Sequence, residues 1–332
     1  MRKRTYSANL GRSLSKFLQI AIPLGLGVFL IWYIYQSFTP QQLEETKKYF
    51  ADANYGFVLL SVAFSVLSHI SRSYRWNFML EPLGYKTNLA NNFMAISVAY
   101  LMNIFIPKSG EVSRGIILDK YESVPFQKGF GTIISERVVD LIFLLFFTVL
   151  ALVIKFDVLY DYVLESIPSS ILYVLILGII LVTVSIPLYM KFSKSNVNKK
   201  LKNFIIGLKE GVFSILKMKK KGAFLFHTFI IWGLYLLSFY TALHALPETT
   251  NIPFGTIIIT FVVGSFTFAF TNSGFGTYPA AVAGILSVFG ILKTVGVAFG
   301  WIVWISNITS IVFFGVLSLV LLPIYNRKRL KL

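Results

Sequence analysis

Ile106-Pro107-Lys108-Ser109-Gly110-Glu111-Val112-Ser113-Arg114 closes an apolar run that extends from Phe93 to Phe105. That run falls short of the ~20 residues that cross a bilayer as a helix. Proline and glycine break it, and three charges follow at once: Lys108, Glu111 and Arg114. A charge near the bilayer centre costs on the order of 3 kcal/mol on insertion scales, so such charges sit in a protein-lined cavity and act there.

The rest of the chain is just as apolar. Of its 332 residues 56% are hydrophobic and only 14% are charged, where a soluble protein carries roughly a quarter charged residues. This composition defines an all-α polytopic membrane protein, with 1–332 a single integral membrane domain. There are no cysteines, which excludes disulfides, thiolate metal sites and cysteine nucleophiles. His69, His227 and His244 are far apart and form no metal-ligand pattern. No metal or cofactor is implied. The net charge of +17 does not point to nucleic acid. The basic residues gather at 1–16, in one mid-chain loop and at the C-terminus, which is a positive-inside distribution.

Outward from the opening stretch, six full spans are expected, at about 17–38, 55–80, 132–154, 170–190, 223–246 and 293–322. The segment 39–54 is nearly neutral and reads as an outside loop, and 155–169 is acidic and reads the same way. The segment 191–222 holds ten lysines and one glutamate and reads as inside. Within it, Val197, Leu201, Phe204, Ile205, Leu208, Val212 and Ile215 recur at helical spacing. That spacing predicts an amphipathic helix over 197–219 on the inner leaflet.

Counting sides then constrains what remains. Both ends of 81–131 lie inside, so 89–106 must enter the membrane and return, with 111–120 as a short helix on the return path. Both ends of 247–292 lie outside, and Thr271-Asn272-Ser273-Gly274-Phe275-Gly276 breaks its apolar run. It too must enter and return. The result is two re-entrant broken segments in repeat-like halves, 55–154 and 223–322, of opposite orientation. Paired interruptions of this kind mark a transporter site at the repeat interface. The expected location is the cytoplasmic (inner) membrane, with both termini inside.

The charged set comprises Arg72, Arg75, Lys108, Glu111, Arg114, Glu136, Arg137 and Asp140. Converging on one cavity, it would leave a positive surplus. Arginine's planar fork suits phosphate, and half-helix N-termini near Gly110 or Gly276 add amide donors. The equally weighted reading is structural: ion pairs that pin the half-helices, with Arg72 and Arg75 as snorkelling residues at a helix end. Arg137 reaches Asp140 at i,i+3 in either case. The expected partners are membrane lipids with anionic headgroups. A membrane-embedded glycosyl- or phosphotransferase is the rival class, though no P-loop or metal cluster accompanies it. A non-catalytic membrane scaffold is the third.

At these residues the chain resembles a known family. Arg72-x-x-Arg75-Trp76, Pro107-x-x-Gly110-Glu111-x-x-Arg114, Glu136-Arg137-x-x-Asp140 and Gly274-Phe275-Gly276 look like the transmembrane region of lysylphosphatidylglycerol synthases, which also occurs as stand-alone flippase-like proteins. The resemblance covers nearly the whole chain. It implies a lipid-translocating fold, with Asn272, Gly274 and Gly276 joining the charged set at the substrate. Lysyl transfer itself is not expected, because the chain carries no aminoacyl-transferase domain. Members often carry a glutamate shortly after the Gly-x-Gly, where this chain has Tyr278-Pro279, so no role for that glutamate transfers.

Overall fold

A computed structural model describes residues 25–154, 156 and 218–327. The basic start of the chain, the span 170–190 and the amphipathic helix over 197–219, save its last two residues, lie outside the described residues. Two compact units divide the chain: Met1–Ile133 with Met218–Leu332, and Ile134–Lys217. All regular elements among the described residues are helical.

The described chain starts with α1 over 25–37. Helix α2, Pro40–Asp52, stands where a loop was expected. It is set by Thr39, whose hydroxyl accepts from the Gln42 amide while the Gln42 side chain accepts from the Thr39 amide. That capping box starts a helix whatever its apolar content. Then follow α3 (Tyr55–Leu80), α4 (Leu89–Phe105), α5 (Ser109–Glu122) and α6 (Phe126–Ile154). The second half holds α7 (Lys221–Leu243), α8 (Phe254–Phe270), α9 (Thr277–Val288) and α10 (Lys293–Tyr325). The helices α3, α6, α7 and α10 are long and apolar enough to span a membrane, whereas α4, α8 and α9 are not.

In the first unit α3 and α7 pack antiparallel. Asn54 N–H donates to the Ala245 carbonyl at one end, Ser61 and Ser238 hydroxyls meet at 3.0 Å, and Ser71 meets His227 at 2.9 Å at the other end. Ser61, Ser65, Ser68 and Ser71 are all buried on α3. Small hydroxylated residues at three- and four-residue spacing let two helices approach closely and hydrogen-bond across the seam.

Each expected re-entrant segment is a helical hairpin. Pro107 forces the first break, because it has no N–H to continue α4 and it pushes Ile106 to extended backbone. Helix α5 then runs back along α4, so that Asn91 near the start of α4 donates to Glu122 at the end of α5. In the second hairpin α8 leads to a six-residue break, and α9 returns. Thr256 at the start of α8 and Phe289 just past α9 line one cleft. With α4 and α8 at 17 residues each, a hairpin arm is only ~25 Å long.

Helix α10 is the spine that both hairpins use. Its Gly296 and Gly300 sit against Ala283 and Pro279 of α9. Further along, Gly315 sits against Leu101 of α4, and Asn326, just past its end, exchanges amide hydrogen bonds with Asn91 at 2.8 and 2.9 Å. One hairpin therefore covers the first half of α10 and the other covers the second half, in opposite directions. The second unit, as far as it is described, is the body of α6 from Ile134 onward.

Candidate functional site

The two hairpin tips meet. A helix leaves its last four carbonyls without intrahelical partners, and Pro107 cannot supply a following donor to α4. Asn272, in the break of the second hairpin, donates its side-chain amide to the Ile104 carbonyl of α4 at 2.9 Å. Asn272 is 6% exposed. The second tip is held in turn by Trp304 of α10, whose indole N–H donates to the Ser273 carbonyl at 2.8 Å. Gly274 and Gly276 take φ of 72° and 65°, a left-handed backbone that glycine adopts without penalty. A Cβ on Gly276 would stand 2.3 Å from the Gly27 carbonyl oxygen of α1. The break is therefore a backbone-on-backbone contact with α1.

The first tip is clamped by Asn103. Its side-chain oxygen accepts from Gly110 N–H at 2.7 Å, and its amide donates to Glu111 at 3.4 Å. The Ser109 hydroxyl donates to the Ile106 carbonyl at 2.7 Å. Lys108 has φ of 63° at the start of α5 and its side chain is exposed. It does not join the buried residues.

The arginines of α3 and α5 are all buried, on different neighbours. Arg72 and Arg75 are 3% and 0% exposed and Arg114 is 1% exposed. Arg114 lies flat over the Trp76 ring, its guanidinium carbon 3.5 Å from the ring centroid, a cation–π stack. Trp76 is fixed by its own indole N–H, which donates to the Thr132 hydroxyl at 2.9 Å. Arg75 donates to the Thr228 hydroxyl at 2.9 Å and stands over the Phe224 ring at 5.1 Å. Arg72 lies one turn before Trp76 on α3. Burial at this level rules out snorkelling for Arg72 and Arg75. Glu111 is half-buried, one turn before Arg114.

Glu136, Arg137 and Asp140 belong to the second unit. Glu136 is fully buried, and Arg137 donates to Asp140 at 3.4 Å, the i,i+3 pair expected from the spacing. Sequence reasoning missed Asn103, Thr228 and Trp304. None of the three carried a signal: the Pro107 break separates Asn103 from Gly110, so their seven-residue spacing sets no shared helical face.

Fold and composition together define a multi-pass helical membrane protein with two opposed helical hairpins. The chain belongs to the lysylphosphatidylglycerol synthase TM region family, whose pattern matches residues 20–315. It is 24% identical over 253 residues to the UPF0104 membrane protein PH1989 of Pyrococcus horikoshii, covering 68% of this chain and 73% of that protein. It is 32% identical over 109 residues to the UPF0104 membrane protein MJ1595 of Methanocaldococcus jannaschii, covering 32% of each chain. No solved structure matches.

Proposed function

We propose that the chain is a lipid translocase, carrying a phosphate-bearing lipid headgroup of an anionic phospholipid or polyprenyl-phosphate type between leaflets. The observation that carries this reading is the burial of three arginines, Arg72 and Arg75 on α3 and Arg114 on α5, α5 being an arm of a hairpin too short to span. Buried arginines in a membrane protein mark a substrate path by default, and the guanidinium fork matches phosphate bidentately. The hairpin pair supports the same reading, since irregular backbone at membrane depth is tolerated where protein or a cavity surrounds it. Opposed broken segments are the usual frame of a midplane carrier site.

The reading includes a sidedness. Lys86, Lys128, Lys219, Lys220, Lys221 and Arg327 lie at the end where α3 and α10 finish. That end is the cytoplasmic one by the positive-inside bias, in the cytoplasmic membrane.

Leaflet exchange of fluorescent phosphate-bearing lipids in proteoliposomes tests the proposal. Arg114→Lys keeps the charge but loses the planar fork and much of the Trp76 stack, and should slow exchange at least tenfold while the protein stays folded. Equal exchange in wild type, Arg114→Lys and Arg114→Gln sinks the reading. A covalently altered lipid in mass spectra of the same vesicles would point to a transferase instead.

A further inference from the structure

The mouth of the second hairpin holds a cleft of about 240 Å³ lined by Glu248, Asn251, Pro253, Thr256, Phe289 and Ile291. Three of its features need explaining. Helix α8 opens there with no side-chain cap. Its N-cap is Pro253, and Ile257 is the first residue whose N–H is satisfied within the helix, by the Pro253 carbonyl. The amides of Phe254, Gly255 and Thr256 therefore have no intrahelical acceptor, and with the helix dipole they favour an anion.

The second feature is Thr256. It is 1% exposed, and its hydroxyl has no hydrogen-bond partner among the described residues. A helical threonine normally turns back to the carbonyl one turn earlier, as Thr260 does to Thr256 at 2.7 Å. A buried hydroxyl without a partner costs free energy until a ligand group supplies one.

The third feature is Glu248, an exposed carboxylate on the same cleft. Its charge reaches Tyr49 of α2, whose phenol is held above its ordinary value first by burial and then by Glu248 and Glu45. A carboxylate repels a bare anion, so the cleft is not built for phosphate alone.

We infer that this cleft is a headgroup site for a phospholipid carrying both a phosphate and an ammonium. The phosphate meets the first-turn amides of α8 and the Thr256 hydroxyl, and the ammonium meets Glu248. The site lies ~25 Å from the hairpin tip, one arm length away. Its zwitterionic lipid is a different ligand from the anionic cargo of the translocase reading, so the cleft is a separate lipid site on the same hairpin pair. Its chemistry does not rest on that reading.

The chain has no cysteine, so Asn251→Cys places a single environment-sensitive fluorophore on the cleft wall. The labelled protein in detergent is titrated with dihexanoyl-phosphatidylethanolamine, dihexanoyl-phosphatidylglycerol and inorganic phosphate. Saturable binding of the ethanolamine lipid is expected, tighter than the glycerol lipid. Thr256→Val should raise both half-saturation concentrations about tenfold, the loss of one hydrogen bond to a charged group of ~1.4 kcal/mol. Glu248→Gln should weaken only the ethanolamine lipid. An unchanged titration in Thr256→Val overturns the site, equal effects of Glu248→Gln on both lipids overturn the ammonium assignment, and a response to inorganic phosphate equal to that for lipid overturns the headgroup assignment. Binding is read without leaflet exchange. Cleft binding that survives where wild type shows no exchange therefore refutes translocation and leaves the site standing.

Discussion

Gly110→Ala is the sharpest test of the hairpin. A Cβ on Gly110 would stand 2.1 Å from the Ala99 carbonyl oxygen and 2.7 Å from the Asn103 amide nitrogen. Ordinary contact begins near 3.4 Å, so α4 and α5 must part by about 1 Å. The nearest obstacle is backbone and cannot rotate away. That displacement carries the hydrogen bond from Gly110 N–H to Asn103, now 2.7 Å, beyond useful length. Overpacking of this kind costs ~1–3 kcal/mol, and losing the clamp adds ~1 kcal/mol. The expected destabilisation is therefore about 2–4 kcal/mol, set against the small gain in helix propensity from alanine. The control is Gly284→Ala on α9, where an added Cβ meets nothing within 4 Å and propensity alone should stabilise by ~0.5–1 kcal/mol. Reversible unfolding in mixed SDS–detergent micelles measures both. Were Gly110→Ala as stable as Gly284→Ala, the close approach of α5 to α4 would be wrong, and with it the hairpin.

Three further outcomes follow from the same geometry. Gly276→Ala combines a φ of 65° with a contact of 2.3 Å to Gly27 backbone, and should lower the unfolding midpoint well below that of Gly290→Ala, which shares a positive φ but has open space. Asn272→Asp should destabilise more than Asn272→Ala in the same assay, because a carboxylate set 2.9 Å from the Ile104 oxygen faces acceptor with acceptor, whereas alanine only forfeits ~1 kcal/mol of hydrogen bond. A double-mutant cycle of Ser61→Ala and Ser238→Ala across the α3–α7 seam should return a coupling of ~0.6 kcal/mol, and additive effects would mean that these serines do not meet.

Much of this architecture could be read from single residues. Pro107 ends α4 because of its missing N–H, and the glycines at 274 and 276 shape the break between α8 and α9 by taking a left-handed backbone. Both hairpins followed from counting sides around these breaks. Helix α2 was misread because its charges suggested a solvated loop. The capping box from Thr39 to Gln42 is its sequence signal, independent of apolar content. The α3–α7 seam left no trace in sequence, because serines at 61, 65, 68 and 71 look like ordinary interruptions of an apolar run until α7 is laid beside them. Arg72, Arg75 and Arg114 were legible as anomalies by cost alone. The stack of Arg114 on Trp76 was not, since α5 is placed beside α3 only by the return of the first hairpin.

The unequal chemistry of the two tips has a packing cause. Each tip is a place where a helix too short to span stops and leaves carbonyls that need partners. The second tip answers with backbone: Gly276 against Gly27, Pro279 against Gly300, the Ser273 carbonyl on Trp304 and the Asn272 amide on Ile104. Contacts that close leave no room for long side chains, so this tip holds no charge. The first tip is closed largely by side chains: Asn103 satisfies Gly110 and touches Glu111, and the Ser109 hydroxyl donates to Ile106. Helix α5 beyond it carries Glu111 and Arg114, and Arg114 reaches the Trp76 ring of α3. Charge gathers on the first hairpin because the second is spent on holding the break closed.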